Sequence, residues 1–180
     1  TIDTVTATAN AALPKAGGTM TGNLATAGIT SVTAGTSNFV AGVSAGNSIV
    51  SGGNYNTVVG DNAGTAITTG DYNTASGANA LLANTTGTNN TAIGQAALLT
   101  NVTTSNNTAV GKDSLRNNIA GSNTAVGYQS LLTNTTGASN VAVGYTALGA
   151  NTTGGSLVAV GNSALLANTT GVYNVGIGYQ

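Results

Sequence analysis

Eight glycines, Gly60, Gly77, Gly94, Gly111, Gly127, Gly144, Gly161 and Gly178, recur at steps of 17, 17, 17, 16, 17, 17 and 17 residues. Counted from each marker glycine, one phrase returns. It has Asn at −4, Thr or Val at −3, Ala at −2, Val or Ile at −1, Leu at +4 and Gly at +10. Clear copies are Asn123-Thr124-Ala125-Val126-Gly127 with Leu131 and Leu132, and Asn140-Val141-Ala142-Val143-Gly144 with Leu148. A unit this short cannot bury its apolar face alone, so neighbouring units must stack into a continuous core. Function is therefore to be sought in columns of equivalent positions.

Gly, Asn and Thr dominate, there is a single proline, and no stretch keeps an i, i+3, i+4, i+7 apolar stripe long enough for a globular helix. Each Thr-Ala-Val-Gly segment is β-compatible, and each Asn-Thr-Thr-Gly has the chemistry of a turn. The expected rung is strand, short strand, turn. A helical turn at Ala97-Leu98-Leu99 is the local alternative, but about four residues is too short to stand alone. The predicted fold is all-β, a parallel β-solenoid or β-roll of about eight 17-residue rungs. At about 4.8 Å per rung it spans on the order of 40 Å. The one 16-residue step falls between Gly121 and Asn123, in the turn ahead of a strand.

Positions −1 and −2 are adjacent and point to opposite faces of a strand, and Leu at +4 adds a third apolar column. A lone thin roll is not expected to bury all three. Packing several rolls around a shared axis would cover the remaining column, with the small Ala at −2 permitting close approach. Closed cyclic symmetry does this without leaving open faces.

With three basic and four acidic residues, no histidine and a net charge of −1, there is no electrostatic footprint for nucleic acid or an anionic membrane surface. Cysteine is absent, which removes disulfides and thiolate metal sites. No apolar run approaches the roughly 20 residues of a membrane span, and the start Thr1-Ile2-Asp3-Thr4 shows no basic region followed by an apolar one. Catalysis needs converging titratable groups. The supply is Asp3, Asp61, Asp71, Asp113, Lys15, Lys112, Arg116, six tyrosines and hydroxyls. Asp61 and Asp71 as a glycosidase pair compete with ordinary turn chemistry, which is favoured. Asp113 and Arg116 read as a solvated pair. The calcium-binding Gly-Gly-x-Gly-x-Asp phrase is missing. The chain is expected to be no enzyme and to need no cofactor or metal.

All six tyrosines fall in two columns: Tyr55, Tyr72 and Tyr173 at −5, and Tyr128, Tyr145 and Tyr179 at +1. Those at −5 lie in the variable turn, where an exposed ring can meet a glycan or receptor. Stacking from rung to rung is the favoured reading, since regularly placed aromatics usually pack together. The Asn columns at −4 and at +7 (Asn84, Asn101, Asn118, Asn134, Asn151, Asn168) are expected to form amide ladders along the rod. Sequons such as Asn84-Thr85-Thr86 follow from turn composition.

The run Asn123-Thr124-Ala125-Val126-Gly127-Tyr128-Gln129-Ser130-Leu131-Leu132, continuing to Gly137, resembles the head repeats of trimeric phage tail fibres. More loosely, it resembles the heads of trimeric autotransporter adhesins. The likeness covers about residues 51–180. A second segment, Leu13-Pro14-Lys15-Ala16-Gly17-Gly18-Thr19-Met20-Thr21-Gly22-Asn23-Leu24, is similar to a motif common in phage tail-fibre proteins. The resemblance implies a homotrimeric virion fibre that supports host attachment. It further implies docking on other tail or baseplate proteins through the N-terminal region and contact with a host surface glycan or protein. Residues 1–50 then form a shaft or attachment segment, with short β-segments at Gly28–Val32 and Asn38–Val43, and 51–180 the repeat array. The array stops mid-rung, so more chain is expected downstream. A bacterial cell-surface adhesin head is the first alternative. An ice-binding solenoid is the second, and it rests on the Thr column at +9 (Thr86, Thr103, Thr136, Thr153, Thr170), which Ala120 interrupts.

Overall fold

The Thr/Val-Ala-Val/Ile triplet ahead of each marker glycine forms one three-residue strand per rung. The computed structural model describes residues 33–180. In it the strands are β1 Phe39–Ala41, β2 Thr57–Val59, β3 Thr74–Ser76, β4 Thr91–Ile93, β5 Thr108–Val110, β6 Thr124–Val126, β7 Val141–Val143, β8 Val158–Val160 and β9 Val175–Ile177. They join in chain order into one parallel sheet. Every pair aligns equivalent positions, as in Thr74↔Thr91, Ala75↔Ala92 and Ser76↔Ile93. The protein is an all-β parallel solenoid, and the described residues contain no helix.

The interior is made of columns −2 and +4. Ala75, Ala92, Ala109, Ala125, Ala142 and Ala159 are fully buried, as are Leu81, Leu98, Leu115, Leu131 and Leu148. One chain therefore closes its own core, and the Ala column expected to permit approach between chains lies inside it. The early rungs fill the same space differently. Val58 replaces Ala at −2, Gly64 replaces Leu at +4 and Ile67 replaces Asn at +7. A Cβ at Gly64 would lie 2.7 Å from Ile67 Cδ1 and 3.2 Å from Val58 Cγ1, so the larger neighbours occupy the volume that Leu fills elsewhere. The rung of β1, with Val40, Gly46 and Ile49, follows this variant. It extends the sheet upstream of residue 51, pairing Phe39 with Thr57 at a step of 18. Residues 1–32, with the Leu13–Leu24 motif and the Gly28–Val32 segment, lie outside the described residues.

The expected second strand is replaced by turn. Backbone at +2 and +4 is left-handed even for side-chain-bearing residues, with φ of 57° at Ala96 and 51° at Leu98. This also excludes the helical turn at 97–99. Such angles cost on the order of 1–2 kcal/mol per residue, and the inter-rung ladder offsets them. Ala96 N donates to Ala78 O of the preceding rung at 3.0 Å, and Leu98 N donates to Ser114 O of the next at 3.1 Å. The 16-residue step is absorbed as expected. Thr108 still pairs with Thr124, while Asn118 Nδ2 bonds Ala120 O at 2.6 Å within the shortened turn.

Candidate functional site

From Asn56 to Asn151 the two Asn columns lie inside the rod. At −4, each side-chain oxygen accepts the N–H of the next rung's Asn: Asn90 N to Asn73 Oδ1, Asn107 N to Asn90 Oδ1 and Asn123 N to Asn107 Oδ1, all at 3.0 Å. Nδ2 of the same residues reaches turn carbonyls, as in Asn73 to Gly87 O at 2.8 Å and Asn140 to Gly154 O at 2.9 Å. At +7 the amides bond one another directly. Asn101 donates to Asn84 at 3.2 Å, Asn134 to Asn118 at 2.7 Å and Asn151 to Asn134 at 2.9 Å. Among the described residues, no buried side-chain nitrogen or oxygen lacks a partner. These amides are saturated and offer nothing to a ligand, and the Asn84 sequon amide is one of them.

The titratable groups do not converge. Asp61 Oδ1 accepts Val43 N at 3.2 Å, and Asp71 Oδ1 accepts Asn54 N at 2.7 Å, so each ties its turn to the preceding rung. Among the described residues no three of His, Cys, Asp and Glu gather in a metal-binding group. Arg116 lies 3.6 Å from Asp113, but Asp113 is buried rather than solvated and only Arg116 is well exposed. The gap is long and the arginine wet, so Arg116→Ala is expected to lower stability by less than about 1 kcal/mol. Denaturant unfolding checks this. A cleft lined by Leu165, Asn168, Gly176 and Tyr179 is the uncovered core of the last rung.

What the rod presents outward is the other face of its sheet. Column −1 carries Val59, Ser76, Ile93, Val110, Val126, Val143, Val160 and Ile177, and column −3 carries Thr57, Thr74, Thr91, Thr108, Thr124, Val141, Val158 and Val175. Ile93, Val141, Val143 and Val160, in rungs covered on both sides, are exposed at 36–42%, and neither column contains a charge. The chain thus carries an apolar, uncharged stripe along its length, with Thr at −3 in the earlier rungs and Val in the later ones. Sequence reasoning identified the −1 column. It missed the Thr rank beside it, although the spacing of two within each strand contained that signal.

The tyrosines sit on the surface. Tyr55 and Tyr72 stack with centroids 5.0 Å apart and planes 7° from parallel, and Tyr128 and Tyr145 with 5.4 Å and 13°. Tyr173 is 80% exposed and follows Ser156 in its column. Stacking occupies one face of each paired ring, leaving edges and the outer faces to solvent. The marker glycines form a column of close contacts between backbones: a Cβ on Gly77 would lie 2.7 Å from both the carbonyl carbon and oxygen of Gly94. The Thr column at +9 is exposed in the turns. No protein-family model matches the chain, and no curated protein or solved structure matches it.

Proposed function

We propose that this chain is a structural, non-enzymatic segment of a phage tail fibre that supports host-cell adhesion as a homotrimer. The observation that carries the reading is the continuous uncharged outward stripe of columns −3 and −1, apolar at −1 in every rung but that of Ser76. Exposed contiguous apolar surface of this kind is usually an interaction surface. Equivalent stripes from identical chains meet without like-charge repulsion, and cyclic closure covers every copy. The likeness of the repeat phrase and of the Leu13–Leu24 motif to tail-fibre sequences directs the reading to a virion. Its N-terminal region docks on tail or baseplate proteins, and Tyr55, Tyr72 and Tyr173 are the side chains proposed to reach a host glycan or protein.

Light scattering of the native species, with and without boiling in detergent, tests the assembly. Three chains that survive detergent are expected, and a stable folded monomer overturns the trimer. In the trimer, Val143→Glu places three like charges in the seam and is expected to yield monomers. Antibodies to residues 51–180 should label tail fibres on phage particles. Labelling elsewhere or nowhere overturns the virion assignment.

One observation favours a second reading. Thr57, Thr74, Thr91, Thr108 and Thr124 form an in-register rank on the outward strand face, a better basis for ice binding than the turn column at +9. That activity needs the face free, so a monomer showing thermal hysteresis would establish it in place of the fibre.

A further inference from the structure

We propose that the stacked pairs Tyr55–Tyr72 and Tyr128–Tyr145 are sites of oxidative cross-linking, each joined by a dityrosine bond that staples two consecutive rungs. The parallel, in-register ladder repeats the backbone about every 4.8 Å. It holds the two rings of each pair face to face, at 5.0 Å and 7° in one pair and 5.4 Å and 13° in the other. Equivalent ring carbons therefore lie next to each other without a search. The rings are also accessible to an oxidant, with Tyr55 52%, Tyr72 57%, Tyr128 39% and Tyr145 54% exposed. Competing sinks are nearly absent. The chain has no Cys, Trp or His, and Met20 is its one methionine, whereas sulfur side chains usually intercept oxidants first.

The co-reactant is a one-electron oxidant of the peroxidase and peroxide class. It takes one electron and the phenolic proton from each ring, giving two neighbouring phenoxyl radicals. These couple through a carbon ortho to each oxygen. Each joined carbon then gives up its hydrogen as a proton, the phenol is restored and the ring is aromatic again. One peroxide is reduced to two waters for each link, and the product is two hydrogens lighter than the separate tyrosines. The bond closes across rungs already held together by the sheet, so it locks them against peeling.

Tyr173 and Tyr179 are the internal comparison. They are the most exposed tyrosines, at 80% and 85%, yet the preceding rung offers them Ser156 and Asn162. Among the described residues neither joins a stack.

The test treats the native full chain with peroxidase and hydrogen peroxide, follows dityrosine fluorescence and maps the linked peptides. Mixing chains of light and heavy isotope separates links within a chain from links between chains, so the result does not depend on the trimer. Intrachain Tyr55–Tyr72 and Tyr128–Tyr145 links are expected to predominate and to vanish when the chain is oxidised unfolded. Tyr72→Phe, which keeps the ring but not the phenol, should remove the first link and spare the second. Links scattered over Tyr173 and Tyr179, or phenols consumed without intrachain links in the folded chain, would overturn the proposal.

Discussion

Gly94→Ala is expected to destabilise the array by about 4 kcal/mol or more, placing it among the rare severe single substitutions. Two terms add. The backbone at Gly94 has φ of +128°, a region that side-chain-bearing residues enter at about 1–3 kcal/mol. A Cβ there would also lie 2.6 Å from the carbonyl carbon and 2.6 Å from the oxygen of Gly111. Relief requires Gly111 to move. Its own Cβ position is only 2.5 Å from Gly127 O, so displacement of one rung is opposed by the next. In a stack where each unit contacts only its neighbours, damage in the middle splits the array into two shorter ones. Guanidinium unfolding of the native species measures the loss. Gly121→Ala is the comparison: it lies outside the left-handed region and its nearest added contact is Ser105 O at 3.0 Å, so a loss below about 1 kcal/mol is expected. Equal losses at the two positions would show that the close glycine column is not what fixes the rung spacing.

That column was legible because stacking repeats a constraint, and a constraint repeated at fixed spacing leaves its residue in the sequence. The same holds for Ala at −2 and Leu at +4, and for the amide ladders at −4 and +7. What sequence left hidden is where one physical requirement is met by different residues. Val58, Gly64 and Ile67 fill the space that Ala, Leu and Asn fill in later rungs, which obscured the rung of β1 at residues 39–41. Leu98 is a good helix former, yet the rung-to-rung ladder holds it at φ of 51°, a tertiary override that local propensity does not contain. The burial of Asp113 escaped for a similar reason: its neighbour Arg116, three residues on, suggested a solvated pair, whereas the folded turn leaves Asp113 only 7% exposed. Of the candidate surface, the Tyr stacks followed from their columns. The outward Thr rank was masked because Thr gives way to Val at −3 from Val141 onward while the turns stay rich in Thr throughout.

Asn73→Leu is expected to lower stability by about 2–4 kcal/mol although the two side chains have the same number of heavy atoms and the same branching at Cγ. Asn73 is fully buried. Its oxygen accepts Asn90 N at 3.0 Å, its amide donates to Gly87 O at 2.8 Å, and its own N–H goes to Asn56 Oδ1 at 2.9 Å. Leucine keeps only the last. Gly87 O retains Asn84 Nδ2 at 3.1 Å, so the main penalty is the N–H of Asn90, stranded inside the rod at about 1–3 kcal/mol beyond the bonds lost. The chain makes the same exchange itself at Leu157, whose N–H still reaches Asn140 Oδ1 at 3.0 Å. Having no side-chain acceptor to offer Asn174 N, Leu157 breaks the ladder at that point. Denaturant unfolding gives the magnitude and hydrogen exchange gives the cause, because the amide of Asn90 should be the one whose protection falls most. A loss below about 1 kcal/mol with Asn90 still protected would mean that another acceptor takes that N–H and that the amide ladder is not what holds consecutive rungs in register.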